Sequence, residues 1–203
     1  ERDSQAAMVN TPFDPANVDI IDKKIAIHTL LARLEHQELN LSPDFQRRAN
    51  LWDEKRKSRL IESVLLRIPL PSFYFSEDED GNSEVVDGLQ RLCAIFHFVD
   101  CGKLNKATDA KLNPLRLIDL QYLTEKNGKS YSELERPFQR RINELEINVN
   151  VIRATTPKEV MFNVFARLNQ GGLPLSAQEI RNAIYPGEWR TNIRQLAEGP
   201  NFL

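Results

Sequence analysis

At 203 residues, 41% of them hydrophobic, the chain can bury a real core as one large domain or as a domain with a small helical extension. Lys plus Arg (27) nearly cancels Asp plus Glu (29); the net charge of −2 and pI near 6.0 give no general pull toward nucleic acid or anionic membrane, although a local basic groove is compatible with them. No apolar run approaches the ~20 residues of a membrane span, and residues 1–15 lack the hydrophobic stretch of a signal peptide, so the reading is a soluble, cytoplasmic protein with no membrane partner.

In chain order, residues 1–17 carry two prolines and little periodicity and read as a flexible arm. Leu30, Leu31 and Leu34 at helical spacing predict a helix over Thr29–Leu39, stopped by Ser42-Pro43. Asp44 to Arg48 follows as an extended or looped stretch. Asp53 is placed to cap a second helix, in which Leu60, Ile61, Val64 and Leu65 recur at three and four residues. Ile68-Pro69-Leu70-Pro71 ends it and leads to a strand over Ser72–Phe75. Glu77 to Asn82 reads as a hairpin turn in which Asp80-Gly81 supplies the positive φ, with Glu84-Val85-Val86 as the returning strand.

Asp87-Gly88 opens a helix with Leu92, Ile95, Phe96 and Val99 on one face. Cys93 and Cys101 fall in this segment about two turns apart, roughly 12 Å, too far to bridge within one helix. With no C-x-x-C and with His28, His36 and His97 in separate apolar contexts, no zinc pattern is present, no residue is assigned as a metal ligand, and reduced thiols are expected. Gly102 to Asn113 is polar and lysine-rich and reads as a loop, Leu115–Leu120 as a strand, and Tyr131–Asn143 as helical in part. The clearest strand is Leu145–Val151, where apolar residues alternate with Glu146, Asn148 and Asn150. Capping boxes at Thr156-Pro157-Lys158-Glu159 and Ser176-Ala177-Gln178-Glu179 announce two further helices, and a last one lies near Trp189–Ala197. Few strands separated by helices predict an α+β fold, a small mixed sheet flanked by helices. The chain reads as a piece of something longer.

The segment Val85 to Leu92 carries the most chemistry. A strand enters a helix through a glycine, which leaves backbone N–H groups at the positive end of the helix dipole, where anions bind. Arg91 can add a forked donor pair to a phosphate, Gln90 a single donor, and Asp87 can orient Arg91 or hold a hydrated metal. The bland alternative is that Asp87 caps the helix and pairs with Arg91 at i, i+4. Gln46-Arg47-Arg48 presents further donors, which either close the same anion site or form a solvated patch. Asn169-Gln170-Gly171-Gly172 combines a polar side chain with glycines that permit close approach to a ligand or cap the preceding helix. A second functional reading is a non-catalytic nucleic-acid-binding module using Arg48, Lys55, Arg56 and Lys57 on a basic helix around residues 47–59.

No Walker-type phosphate loop, nucleophile elbow, zinc helix or HNH-type nuclease cluster occurs. An enzyme built from these residues would rely on phosphate clamping and Mg²⁺, without a covalent nucleophile.

Four ordered segments resemble a known family: Phe45-Gln46-Arg47 with Trp52; Ile61 to Leu66 with Ile68-Pro69-Leu70-Pro71; Val86-Asp87-Gly88-Leu89-Gln90-Arg91-Leu92; and Phe165 to Ser176. Together, over about Ile25 to Tyr185, they resemble the N-terminal domain family of GmrSD-type modification-dependent restriction enzymes. The resemblance implies a ParB/sulfiredoxin-like core over residues 18–185, with 186–203 beginning a helical extension. It also implies binding, with possible hydrolysis, of an NTP with Mg²⁺ as a regulatory domain in restriction or anti-phage defence. In the family a D-G-Q-Q-R motif supports this; Asp87, Gly88, Gln90 and Arg91 match it, and Leu89 replaces its first glutamine. Gln46, Arg47, Asp87, Gly88, Gln90, Arg91 and Asn169 would then bind nucleotide, with Asp87 and Arg91 as the catalytic pair. Expected partners are a nucleotide, DNA, and a nuclease domain or partner subunit in a longer protein.

Overall fold

The computed structural model describes residues 18–41, 52–157 and 160. Over them run β1 (Ile20–Ala26), α1 (Ile27–Glu35), β2 (Leu39–Asn40), α2 (Glu54–Leu65), β3 (Phe73–Glu77), β4 (Ser83–Asp87), α3 (Leu89–Val99), α4 (Cys101–Thr108), α5 (Arg136–Asn143) and β5 (Glu146–Ile152). Two 3-10 turns, Thr124–Lys126 and Tyr131–Glu133, precede α5. The strands form one mixed sheet in the order β1-β5-β3-β4-β2, so the fold is α+β as expected. Its antiparallel pairs are β1–β5 and β3–β4, and its parallel pairs are β5–β3 and β4–β2.

The alternation read at Leu145–Val151 is β5. Ile147, Val149 and Val151 are buried while Glu146 and Asn148 face water. They join Phe73, Phe75 and Val85 on one face of the sheet, in a single core with Ile27 and Leu30 of α1, Ile61 and Leu65 of α2, and Leu92 and Ile95 of α3. The hairpin turn also forms as expected. Asp78 accepts from the backbone N–H of Asp80 and Asn82, and Gly81 takes φ +83°. Asp53 caps α2 by accepting from the Arg56 N–H at 2.7 Å.

Local expectations are corrected at several points. The first helix ends at Glu35, because Gln37 turns at φ +62° and Leu39 joins the sheet beside Ser83. Ile20–Ala26, for which the local pattern predicts nothing, is a seven-residue strand held along its length by β5. The lysine-rich stretch read as a loop contains α4, capped by Asp100, which accepts from the Lys103 N–H, and anchored by buried Leu104 and Thr108. Asp100 separates α3 from α4, so Cys93 and Cys101 occupy different helices, and both are free thiols.

Leu115–Leu120 is not a strand. Leu115, Leu117 and Leu120 are buried, but the backbone bonds elsewhere: the Leu117 N–H donates to the Lys129 carbonyl, the Ile118 N–H to Ser58 Oγ and the Leu120 N–H to Asn127 Oδ1, and Glu62 of α2 accepts from the next turn. Tyr131–Asn143 is helical only in its two parts. Thr156, read as a helix cap, exchanges hydrogen bonds with the Asp19 backbone. The arm over 1–17, the Asp44–Arg48 stretch, the Ser176 box, the last helix and the 186–203 extension lie outside the described residues.

Candidate functional site

Gly88 sits between β4 and α3 at φ +91°, a conformation open to glycine at little cost. Space demands glycine here as well: a Cβ would fall 2.3 Å from Cδ1 of the Phe73 ring. Glycine thus lets the strand-to-helix turn lie flat on a fully buried phenylalanine, and α3 starts at the C-terminal end of β4. That end of β4 also carries a bulge, a register shift between Tyr74 and Phe75 that leaves Tyr74 opposite Asp87. Bulges at such places re-aim a side chain out of regular alternation.

Arg91 lies one turn into α3 with its guanidinium stacked on Phe73, 4.3 Å from the ring centroid. It donates to the Pro71 and Ser72 carbonyls and, at 3.1 Å, to Asp87 Oδ2. Burial shifts the guanidinium pKa down from its ordinary value, against the opposing pull of Asp87. The i, i+4 pair is therefore present, and Arg91 also ties the end of the α2–β3 connection to the start of α3.

Leu89 resolves a point that the motif left open. It packs against the hydrophobic core, so the glutamine-to-leucine departure falls on the packing side of the helix. Gln46, Arg47, Arg48 and Asn169 lie outside the described residues. The topology still places where the Gln46-Arg47 segment departs. β2 and β4 are parallel neighbours with Asn40 level with Glu84, so the chain leaves β2 at the end of the sheet where Asp87 and Gly88 open α3.

The basic helix divides differently from its sequence reading. Lys57 is buried, with Nζ 3.4 Å from His97 Nδ1, while His97 Nε2 lies 2.7 Å from the Asn113 carbonyl oxygen. Burial pushes the Lys57 and His97 pKa values down and the Cys93 thiol's up. Lys57 is thus removed from any solvent-facing role, because its position on α2 faces α3. Lys55 is exposed but paired with Asp119, and Arg56 stacks on Trp52, 4.4 Å from the ring centroid. α2 and α3 run antiparallel, since Lys57 meets His97 while Pro71 and Ser72, beyond the end of α2, meet Arg91. His97 lies about 9 Å along α3 from Arg91, so Lys55 and Arg56 are not brought together with the Asp87–Arg91 turn.

Sequence reasoning missed Glu62. It is buried, and its carboxylate accepts from the Gln121, Tyr122 and Leu123 N–H groups at 3.1, 2.7 and 2.9 Å. Burial raises its pKa, and the three donors outweigh burial, holding it below the ordinary 4.5. This contact forms one wall of a groove of about 510 Å³ lined by Lys55, Arg59, Leu66, Ile68 and Tyr122 among others, and by none of the Asp87–Arg91 residues.

Among the described residues no group of three or more His, Cys, Asp or Glu side chains is arranged to hold a metal ion. Mg²⁺ commonly binds through one or two carboxylates plus the phosphates of a substrate, so Asp87, which is partly exposed, fits such a shared site. No helix among the described residues is long and apolar enough to cross a membrane.

A family model described as GmrSD restriction endonuclease, N-terminal domain, matches residues 27–186. No curated protein and no solved structure matches the chain.

Proposed function

The chain belongs to the family of GmrSD restriction endonuclease N-terminal domains, and from that premise we propose that it is the NTP-binding regulatory module of a restriction or anti-phage defence protein. A ParB/sulfiredoxin-like core and Mg²⁺-dependent hydrolysis of the bound NTP belong to the same proposal, as does a nuclease domain or partner subunit that the module controls.

One observation supports it most: the parallel pairing of β2 with β4. Ligands of open α/β sheets sit beyond the carboxyl ends of strands, and a helix N-terminus there offers N–H groups to phosphate. Gln46 is five residues past Leu41, at most ~17 Å of extended chain, while Asp87 is two residues, about 7 Å, past the level of Leu41. Gln46 and Arg47 are thus within chain reach of phosphates held at Gly88 and Gln90.

In this reading Gln46, Arg47, Gln90 and Asn169 contact the nucleotide, and Asp87 holds the water shell of a magnesium ion. Arg91, already committed to Pro71, Ser72 and Asp87, chiefly positions Asp87. Bound Mg²⁺ would neutralise phosphate charge in the hydrolytic step.

Calorimetric titration with each of the four NTPs, with and without Mg²⁺, tests the proposal. Wild-type protein should bind at least one, and Arg47→Ala should weaken that binding ten- to a hundredfold with an unchanged melting temperature. Absence of heat with all four NTPs under both conditions sinks it.

A further inference from the structure

The side chains that cross the sheet level with Asp87 form a polar row. Tyr74 of β3 is paired with Asp87 on one side and with Asn150 of β5 on the other. Neighbouring strands lie about 4.8 Å apart, so Tyr74 is one strand and Asn150 two strands, ~10 Å, from Asp87. Directly opposed residues share a sheet face. The residues alternating with them, Phe73, Phe75, Val149 and Val151, are buried in the core, so Tyr74 and Asn150 belong to the opposite face.

Both are half-buried, and among the described residues neither side chain makes a hydrogen bond or ring contact. The bulge beside Tyr74 brings Asp87, the first residue of the motif, into line with them. An aromatic face and a carboxamide one strand apart are the two groups that recognise a nucleobase. The ring stacks, and the amide offers a donor and an acceptor to the base edge or the ribose.

We propose that Tyr74 and Asn150 contact the nucleoside part of the nucleotide whose phosphates are held at the start of α3. This rests on the nucleotide-binding reading above and assigns the base and sugar to the sheet face that carries Tyr74 and Asn150, opposite Phe73 and Val149. Tyr74 supplies affinity common to all bases, because every base has a π-face. Asn150 supplies preference among bases, because its amide hydrogen-bonds differently to each edge.

The test titrates the whole 203-residue chain and its Tyr74→Ala, Tyr74→Phe and Asn150→Ala variants with the four NTPs and with inorganic tripolyphosphate, alongside melting curves. Tyr74→Ala should weaken NTP binding roughly tenfold, within what base–aromatic stacking contributes, and leave tripolyphosphate binding within twofold. Tyr74→Phe should retain wild-type affinity, and Asn150→Ala should change the rank order of the four NTPs. If Tyr74→Ala fails to fold, the Asn150→Ala rank order decides. Wild-type NTP affinity and rank order in both alanine variants, or equal losses of NTP and tripolyphosphate binding, would overturn the inference and leave nucleotide binding standing. A wild-type chain that binds neither ligand overturns both.

Discussion

Replacing Gly88 with alanine should be among the most damaging single-methyl changes in the molecule. Two costs add. At φ +91° an L-residue pays about 1–2 kcal/mol for left-handed backbone. The new Cβ would also stand 2.3 Å from Phe73 Cδ1, where carbon pairs prefer 3.5–4.0 Å, so the ring must retreat by about 1.2 Å. It has little room to do so, being fully buried and covered by the Arg91 guanidinium at 4.3 Å. Overpacking of this kind costs about 1–3 kcal/mol. The sum, about 2–5 kcal/mol, is a large part of the 5–15 kcal/mol that typically separates a folded domain from its unfolded state. Gly81 supplies the control. Its φ is +83°, but its nearest neighbour to a new Cβ is 4.0 Å away, so Gly81→Ala should pay only the backbone cost, about 1–2 kcal/mol. Urea denaturation of wild type and both variants measures the difference, and Phe73→Leu combined with Gly88→Ala should recover part of the steric cost. If Gly88→Ala costs no more than Gly81→Ala, the close-approach argument is wrong.

Other consequences are equally measurable. Glu62→Ala strands three backbone N–H groups and should cost about 2–4 kcal/mol in chemical denaturation. Because the folded pKa of Glu62 lies below the ordinary 4.5, its contribution is complete above pH 4.5 and fades as pH falls through the folded value; Glu62→Gln should flatten that part of the acid unfolding curve. His97 is held below its ordinary 6.5, so the unfolded chain takes its proton first. The stability due to neutral His97 should drop as pH falls below 6.5, and His97→Gln should lessen that drop. Lys57 is likewise held below 10.5, so at neutral pH its charge is a burden. Lys57→Met should raise stability by on the order of 1 kcal/mol and remove the gain that wild type shows as pH rises toward 10.5. Arg91→Ala should lower the melting temperature as well as any nucleotide affinity, by unfastening Pro71, Ser72 and Asp87; an unchanged melting curve would show that these ties carry no stability.

Much of the frame was legible locally, and the reason is consistent. The Asp53 cap, the Asp80-Gly81 hairpin, the alternation of β5 and the helix opening at Gly88 depend on contacts within a few residues, which the order of side chains specifies directly. The Asp87–Arg91 pair also follows from i, i+4 spacing. Tertiary pairing decided the rest. Ile20–Ala26 is a strand because β5 supplies seven partners, although Asp22, Lys23 and Lys24 blur its local pattern. Leu115–Leu120 has strand-like composition, yet its N–H groups go to separate acceptors: Leu117 to the Lys129 carbonyl, Leu120 to the Asn127 side chain, and Ile118 to Ser58, sixty residues away in sequence. Lys57 looks like one more surface cation until α3 packs over it. The sequence by itself marked Asp87 to Arg91 as the place where chemistry is concentrated, because a glycine turn between strand and helix is a local property. Only the sheet register could align Tyr74 and Asn150 with Asp87, because a bulge in the β3–β4 hairpin sets one pairing and β5, distant along the chain, supplies the other.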